Sequence, residues 1–334
     1  MSEREEGRGR WWGLIARNPW AGPLLALIFV YLLFVALRPE TFARPINLMT
    51  MARQTAVVGV CSVGMTLIII LGGIDLSIGS GVALTTVVVA YLLKAGAGPL
   101  TAAVAGVLLA AAAGLMSGLF IAGLRITPFI VTLGAMSILR GAAKGLADEQ
   151  KIDAPPRGLD LLAAPPSHGA FLFPPAVWIL VAVAVIFAAG LRYTRLGRYI
   201  YAIGSSEATA HLCGVRVGRV KVAVYTLAAA LTGLAGVIEF STLTVGDPTD
   251  SVGLELTVIA SVVIGGGSLS GGTGSIAGAL IGAFLMTVIK TGCTHVGLPN
   301  WVQELLTGAI IVTAVGLDQL RRRGRGGVSV AEGS

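Results

Sequence analysis

The sequence predicts an all-α polytopic membrane protein of about ten transmembrane helices, some of them broken, with N and C termini cytoplasmic. Three observations predict it. Of 334 residues, 55% are hydrophobic and only 12% charged, about half the charge of a soluble domain, which leaves too little polar surface to face water. Glycine supplies 46 residues, about twice its usual share, as close helix packing and interrupted helices require. The 24 lysines and arginines gather between apolar runs, and fifteen of them fall on one side when ten spans are drawn.

The same counts exclude other classes. The net charge of +7 is spread over loops rather than collected in a groove-sized patch, so no nucleic-acid partner is expected. Cys61, Cys213 and Cys293 are scattered, as are His168, His211 and His295. Neither a disulfide framework, a metal site nor a reactive enzymatic cluster is expected from them.

Residues 1–19 form a polar cytoplasmic segment in which Arg4, Arg8, Arg10 and Arg17 outnumber Glu3, Glu5 and Glu6. The first apolar run, Trp20 to Leu37, is longer than a signal-peptide core and lacks a small-residue cleavage site, so it reads as an uncleaved span. Trp11, Trp12 and Trp20 then lie near the inner interface. A second span, Thr55 to Leu71, breaks at Gly72-Gly73-Ile74-Asp75-Leu76-Ser77-Ile78-Gly79-Ser80-Gly81, and a third runs to about Leu93. A carboxylate at the bilayer centre costs about 2.5–3.5 kcal/mol. Asp75 is therefore expected to sit at a membrane edge, to cap the broken helix beside Ser77, or to face protein or water. Capping is the structural reading and a direct transport role the functional one. Gly73, Asp75 and Ser77 are the helix-break and gating candidates of this half.

The fourth span carries Ala102, Gly106, Ala110, Gly114, Gly118 and Ala122 at a spacing of four, a strip for close packing rather than chemistry. Arg125 marks a turn, and Thr127-Pro128 opens a fifth span to Arg140 or beyond. Residues 148–175 mix Asp148, Glu149, Asp153, Asp160, Lys151 and Arg157 with six prolines, which predicts an outer loop. A sixth span covers about Ala176 to Leu191.

Residues 192–221 are the main polar interruption of the second half. Arg192, Arg195, Arg198, Arg216, Arg219 and Lys221 mark them as cytoplasmic. Within them Ser205-Ser206-Glu207 opens a short helical run, Ala208 to Cys213, that stops at Gly214. Serine suits the N-cap, glutamate the positive helix start and glycine the stop. Such a helix either docks a partner or connects two spans.

A seventh span runs from Val222 to Phe240, with Glu239 at its end, and Gly246 to Asp250 form an outer turn. A short eighth span, Leu254 to Ile264, enters the glycine run Gly265 to Gly274, where Gly267, Ser270 and Gly272 are further helix-break and gating candidates. The ninth span, to about Ile289, presents Gly274, Gly278 and Gly282 on one face, and the last covers Trp301 to Leu317. Residues 20–320 thus form one transmembrane domain, and 321–334 a cationic cytoplasmic tail. The two glycine runs echo one another, which predicts a parallel internal repeat. Glu239, Asp247, Asp250 and Glu255 form an acidic group near the outer end. Leu269-Ser270-Gly271-Gly272 resembles the signature of ATP-binding-cassette ATPases, but without a GxxxxGK[ST] cradle it cannot organise ATP hydrolysis.

Three stretches, taken together and in order, are similar to one family. They are Gly64-Met65-Thr66-Leu67 with Gly73 to Ser80, Thr194 to Gly204 with Glu207-Ala208 and Gly214, and Gly266-Gly267-Ser268-Leu269 through Gly274. They resemble the ribose-type sugar permeases of bacterial ATP-binding-cassette importers over residues 47–320. The resemblance implies an inner-membrane subunit, itself not an enzyme, that pairs with a second permease copy. Its other partners would be two ATPase subunits, which bind the ATP and magnesium that this chain does not, and a periplasmic sugar-binding protein. Gly204, Glu207, Ala208, Ala210 and Gly214 are the residues it implies for contact with the ATPase. Ser205-Ser206 departs from the Gly-Asn or Ser-Asn of many relatives. Branched-chain amino-acid permeases of the same importer class and stand-alone secondary transporters are the alternatives. Spans with almost no buried ions favour neutral sugar over proton coupling.

Overall fold

The computed structural model describes residues 20–164 and 173–326. The arginines, Trp11 and Trp12 of the N-terminal segment, residues 165–172 of the outer loop and residues 327–334 of the tail lie outside the described residues.

Each of the ten predicted apolar stretches forms a helix. They are α1 (Ala21–Leu37), α3 (Pro45–Ile70), α4 (Ile78–Lys94), α5 (Pro99–Gly123), α6 (Pro128–Leu146), α7 (Pro175–Tyr193), α10 (Val217–Leu243), α11 (Leu254–Ile264), α12 (Ile276–Val296) and α13 (Asn300–Gly326). Helices α3, α5, α6, α7, α10 and α12 are long and apolar enough to cross a membrane, whereas α1, α4 and α11 are apolar but shorter. Among the described residues three short α-helices complete the set: α2 (Pro39–Phe42), α8 (Arg195–Ser205) and α9 (Glu207–Leu212). Proline stands in the first turn of α2, α3, α5, α6 and α7, where its missing N–H costs nothing.

Two boundaries differ from expectation for identifiable reasons. Helix α3 begins ten residues early because Pro45 starts it and Asn47, whose amide donates to the Phe42 carbonyl at 2.9 Å, is buried rather than solvated. Helix α10 begins at Val217, so Arg219 and Lys221 lie within its first turns. Long cationic side chains at a helix end reach past the apolar face, which hydropathy alone does not register. Helix α13 likewise continues to Gly326, so the first residues of the expected tail are helical.

Of the six helices long enough to cross a membrane, α3 is the most enclosed, and it packs against α10, α12, α7 and α11. Its residues from Thr55 to Ile70 are nearly all buried, and they form one core with Tyr225, Ala228 and Leu231 of α10 and with Val258, Ile259 and Val262 of α11. Large apolar side chains point outward elsewhere: Phe29, Leu108, Ile138, Ile186 and Val312 are each more than half exposed, a surface for lipid or protein rather than water.

The most extensive helix pairing is α5 with α10. Ala102, Gly106, Ala110, Gly114 and Gly118 are buried as the spacing predicts. A methyl on Gly118 would meet Val222 Cα at 2.8 Å, and one on Gly114 would strike the Tyr225 carbonyl and the Ala229 methyl. Gly114→Leu is expected to cost at least about 1–3 kcal/mol, because one of these atoms is backbone and cannot rotate away. Size-exclusion chromatography after mild solubilisation should show less monodisperse protein for this variant than for Gly123→Leu, where no neighbour lies within 4 Å. In the other expected strip, Gly278 packs on Gly265, which ends α11, and Gly282 on Ser261 within it. Gly274 precedes the helix, which starts after the Ser275 cap.

At the far end of the bundle the described part of the predicted outer loop carries a short strand. Strand β1 (Ile152–Asp153) pairs antiparallel with β2 (Val245–Gly246), with Ile152 opposite Gly246. Lys151 bonds Asp247 at 3.0 Å beside this pair. Burial alone would raise the Asp247 pKa, but the Thr249 hydroxyl and N–H and Lys151 outweigh it and hold the carboxyl below its ordinary range.

Candidate functional site

Helix α8 comes from a stretch expected to be irregular. Leu196, Ile200 and Ile203 recur at helical spacing, and Ile200 and Ile203 are buried. That burial contributes about 1.5–3 kcal/mol per side chain and fixes the helix against the bundle. Thr194 caps it by accepting from the Gly197 N–H at 3.1 Å. Helix α9 follows with the expected signals. Ser206 Oγ accepts from the Thr209 N–H at 3.3 Å, Glu207 sits in the first turn, and Gly214 (φ +80°) closes the end with Val215 N–H bonded to the Ala210 carbonyl at 3.1 Å.

The two glycine turns have the same geometry. Gly72 (φ +89°) and Gly266 (φ +91°) occupy the left-handed region just past α3 and α11. Gly72 and Gly73 donate to Ile69 and Ile68 at 3.0 and 2.9 Å, while Gly266 and Gly267 donate to Val263 and Val262 at 3.0 and 2.8 Å. Both are the double-bonded glycine stop that a following extended segment needs.

These turns and α8 meet at one junction. The Gly272 N–H donates to the Ile70 carbonyl at 2.8 Å, tying the second turn to the end of α3. The tip of α8 lies across both. A methyl at Gly204 would overlap the Ile70 carbonyl and stand 2.6 Å from the Gly272 nitrogen. The Tyr201 hydroxyl donates to the Gly274 carbonyl at 2.8 Å, and burial pushes its pKa up, so the donor proton is retained. Lys221 of α10 places its Nζ 2.8 Å from both carboxylate oxygens of Glu207, joining α9 to α10.

Gly204, Gly73, Gly267 and Gly272 therefore lie at or beside the junction, with Ser270 exposed at the tip of the second turn. Glu207, Ala208 and Gly214 lie on the open side of α9, whereas Ala210 is buried and anchors it. Asp75 and Ser77 follow the first glycine turn on the way to α4. Asp75 is buried and its Oδ1 accepts from the Ser77 N–H at 2.8 Å and the Ser77 hydroxyl at 2.6 Å. This is a local turn that precedes α4 rather than the expected cap on it, since the N-cap Ser77 makes no side-chain cap bond. Three contributors carried no sequence signal strong enough to single them out. Tyr201 supplies the cross-link just described. Leu212 is 86% exposed at the tip of α9, where solvent alone gives a leucine no reason to be. Tyr225 is fully buried. With Leu71, Gly72, Gly73, Ile121, Pro128, Glu207 and Lys221 it lines a cavity of about 100 Å³.

The acidic group predicted near the outer end is divided. Gly246 packs on Thr86–Ala90 of α4, but Ser251 and Glu255 abut Gly79 at the start of that helix. From β2 the chain therefore runs back along α4 by about 12 Å, eight residues of helical rise. The beginnings of the two short apolar helices α4 and α11 thus meet inside the bundle. Arg140 braces this return by donating to the carbonyls of Pro248 and Asp250 at 2.8 and 2.7 Å. Arg53, Arg140, Glu239 and Lys290 all lie within helices that are long enough to span. The expectation of spans nearly free of ions is corrected to this extent. These residues stand one or more turns inside helix ends, where hydropathy averages conceal them.

The family model described as "Branched-chain amino acid transport system / permease component" matches residues 47–315. The chain is 37% identical over 303 residues to the ribose import permease protein RbsC of Escherichia coli (strain K12), covering 90% of this chain and 93% of that one. It is 34% identical over 325 residues to the L-arabinose ABC transporter permease protein AraH of Azospirillum brasilense, covering 95% and 92%. It is 32% identical over 313 residues to the fructose import permease protein FrcC of Rhizobium meliloti, covering 92% and 87%. No solved structure gives a match.

Proposed function

This chain belongs to the family of permease components of branched-chain amino acid transport system type, and from that premise we propose that it is the membrane subunit of a monosaccharide importer. The relatives named for ribose, arabinose and fructose import support a neutral sugar as cargo. The amino-acid reading is weaker, since it rests on the family description alone.

In this reading ten helices span the bacterial inner membrane, both termini are cytoplasmic, and residues 148–175 face the periplasm. A periplasmic binding protein delivers the sugar, a second permease copy completes the pathway, and separate ATPase subunits bind ATP and magnesium. The identical caps after α3 and α11 support an internal repeat. One observation carries the mechanism: the exposed helix α9 is joined through α8 and Lys221 to both glycine turns and to α10. A push on α9 by a closing ATPase then reaches the ends of α3, α10 and α11 together. Gly204, Glu207, Ala208, Ala210 and Gly214 form or support the docking face, and Leu212 is its apolar anchor.

Proteoliposomes holding the permease, its ATPase and its binding protein should take up labelled ribose, arabinose or fructose only with ATP inside. Uptake without the ATPase, or of leucine in place of sugar, would overturn the reading. Leu212→Glu should weaken ATPase binding at least roughly tenfold, the loss of one buried anchor at an interface centre. Because Leu212 contributes nothing to the core, the melting temperature should be unchanged.

A further inference from the structure

The Tyr225 hydroxyl is buried, and among the described residues it has no hydrogen-bond partner. It rests against Gly73, where an added methyl would collide with it. A buried orphan hydroxyl is costly and rare, and in a native structure it calls for an explanation. Its neighbours supply one. The first glycine turn, the start of α6 at Pro128, the end of α5 at Ile121 and the Glu207–Lys221 pair line, with Tyr225, a partly open cavity. The cavity has room for a few waters but not for a monosaccharide. Its wall joins an aromatic ring to a hydroxyl, a carboxylate and an ammonium group. That combination recognises a polyhydroxylated ring, with an apolar face for stacking and donors and acceptors for hydroxyls. Lys221 and Tyr225 are four residues apart on α10 and so share a face.

We propose that Tyr225 seated on Gly73 is the inner gate of the sugar pathway, and that its hydroxyl finds its partner in the passing sugar. In the closed state ring and glycine touch and the cavity is small. When the glycine turn and α10 separate, the cavity enlarges and the hydroxyl gains a sugar oxygen or hydroxyl as partner. Glycine at position 73 is what allows the closed contact.

The inference rests on the sugar-importer reading, and the assay separates the two. The complete complex is reconstituted with its ATPase and binding protein, and ATP-driven uptake of labelled ribose by the unaltered complex tests the reading first. Vesicles preloaded with labelled ribose are then followed without ATP. Tyr225→Ala should release sugar at least roughly tenfold faster than the unaltered protein, as expected when a large buried aromatic contact that closes a two-state element is removed. Gly73→Ala should also leak, because its methyl unseats the hydroxyl. The double variant Gly73→Ala/Tyr225→Phe removes the colliding oxygen and should be tight again. Tyr225→Phe alone should stay tight yet raise the KM for ribose uptake several-fold, since it keeps the ring and loses the sugar contact. Tight Gly73→Ala vesicles, or a double variant that leaks as much as Gly73→Ala, would overturn the gate. A Tyr225→Phe KM equal to that of the unaltered protein would overturn the sugar contact. Failure of the unaltered complex to take up ribose would instead count against the importer reading.

Discussion

Glu207→Lys is expected to abolish ATP-driven sugar uptake, at least roughly a hundredfold, while the solubilised permease keeps its melting temperature. Magnitudes separate the two effects. The Glu207 side chain is 58% exposed and that of Lys221 19%, so solvent screens the pair and its contribution to stability is about 0.2–1 kcal/mol. Helix α8 is held by Ile200 and Ile203, which contribute several times more. The ion pair is thus too weak to hold the fold, yet it is the direct polar link from α9 to α10, at 2.8 Å to both carboxylate oxygens. Reversing one charge places two ammonium groups at this contact, and α9 swings off α10. The exchange Glu207→Lys/Lys221→Glu re-forms the pair and should restore at least about half of the uptake. A silent exchange, with uptake still absent, would mean that the glutamate acts on the ATPase directly and that the link to α10 transmits nothing. Full uptake by the single variant would remove Glu207 from the mechanism.

The architecture was legible because lipid imposes it. Ten apolar stretches became ten helices, since in an apolar setting the backbone must satisfy itself within each segment. The strip from Ala102 to Gly118 was legible for the same reason: a spacing of four leaves small residues on one face. Helix α9 was legible from its cap residues, as Ser206, Glu207 and Gly214 each serve a local backbone need. What stayed hidden is what depends on distant pairs. Nothing local relates Gly204 to Ile70 or Tyr201 to Gly274, and the two glycine turns looked alike without any sign that they touch. Helix α8 was masked by its arginines, although Leu196, Ile200 and Ile203 carry its period. Glu255 was placed with the outer acids because sequence order follows the turn at Gly246 outward, whereas the chain runs back along α4 to Gly79.

The junction itself yields the other large effect. Position 204 lies inside α8, where helix propensity alone would favour alanine over glycine by about 1 kcal/mol. The neighbours reverse that preference, because any Cβ there overlaps the Ile70 carbonyl and crowds the Gly272 nitrogen. Both are backbone atoms, and they are donor and acceptor of the bond that ties the second turn to α3. Gly204→Val must therefore lift α8 away or break that bond, and uptake should fall below detection. Gly214→Val is the informative contrast. It meets no neighbour within 4 Å, but its φ of +80° is a strained conformation for a β-branched residue, at about 1–3 kcal/mol. That strain loosens the end of α9 and leaves the junction intact, so uptake should drop in part and recover in Gly214→Asn, which tolerates the left-handed region. Limited proteolysis distinguishes the two. Cleavage within residues 192–221 should accelerate strongly in Gly204→Val and only slightly in Gly214→Val. Equal protection of both variants would mean that α8 is not clamped by the glycine turns, and a push on α9 would then have no rigid path to the ends of α3 and α11.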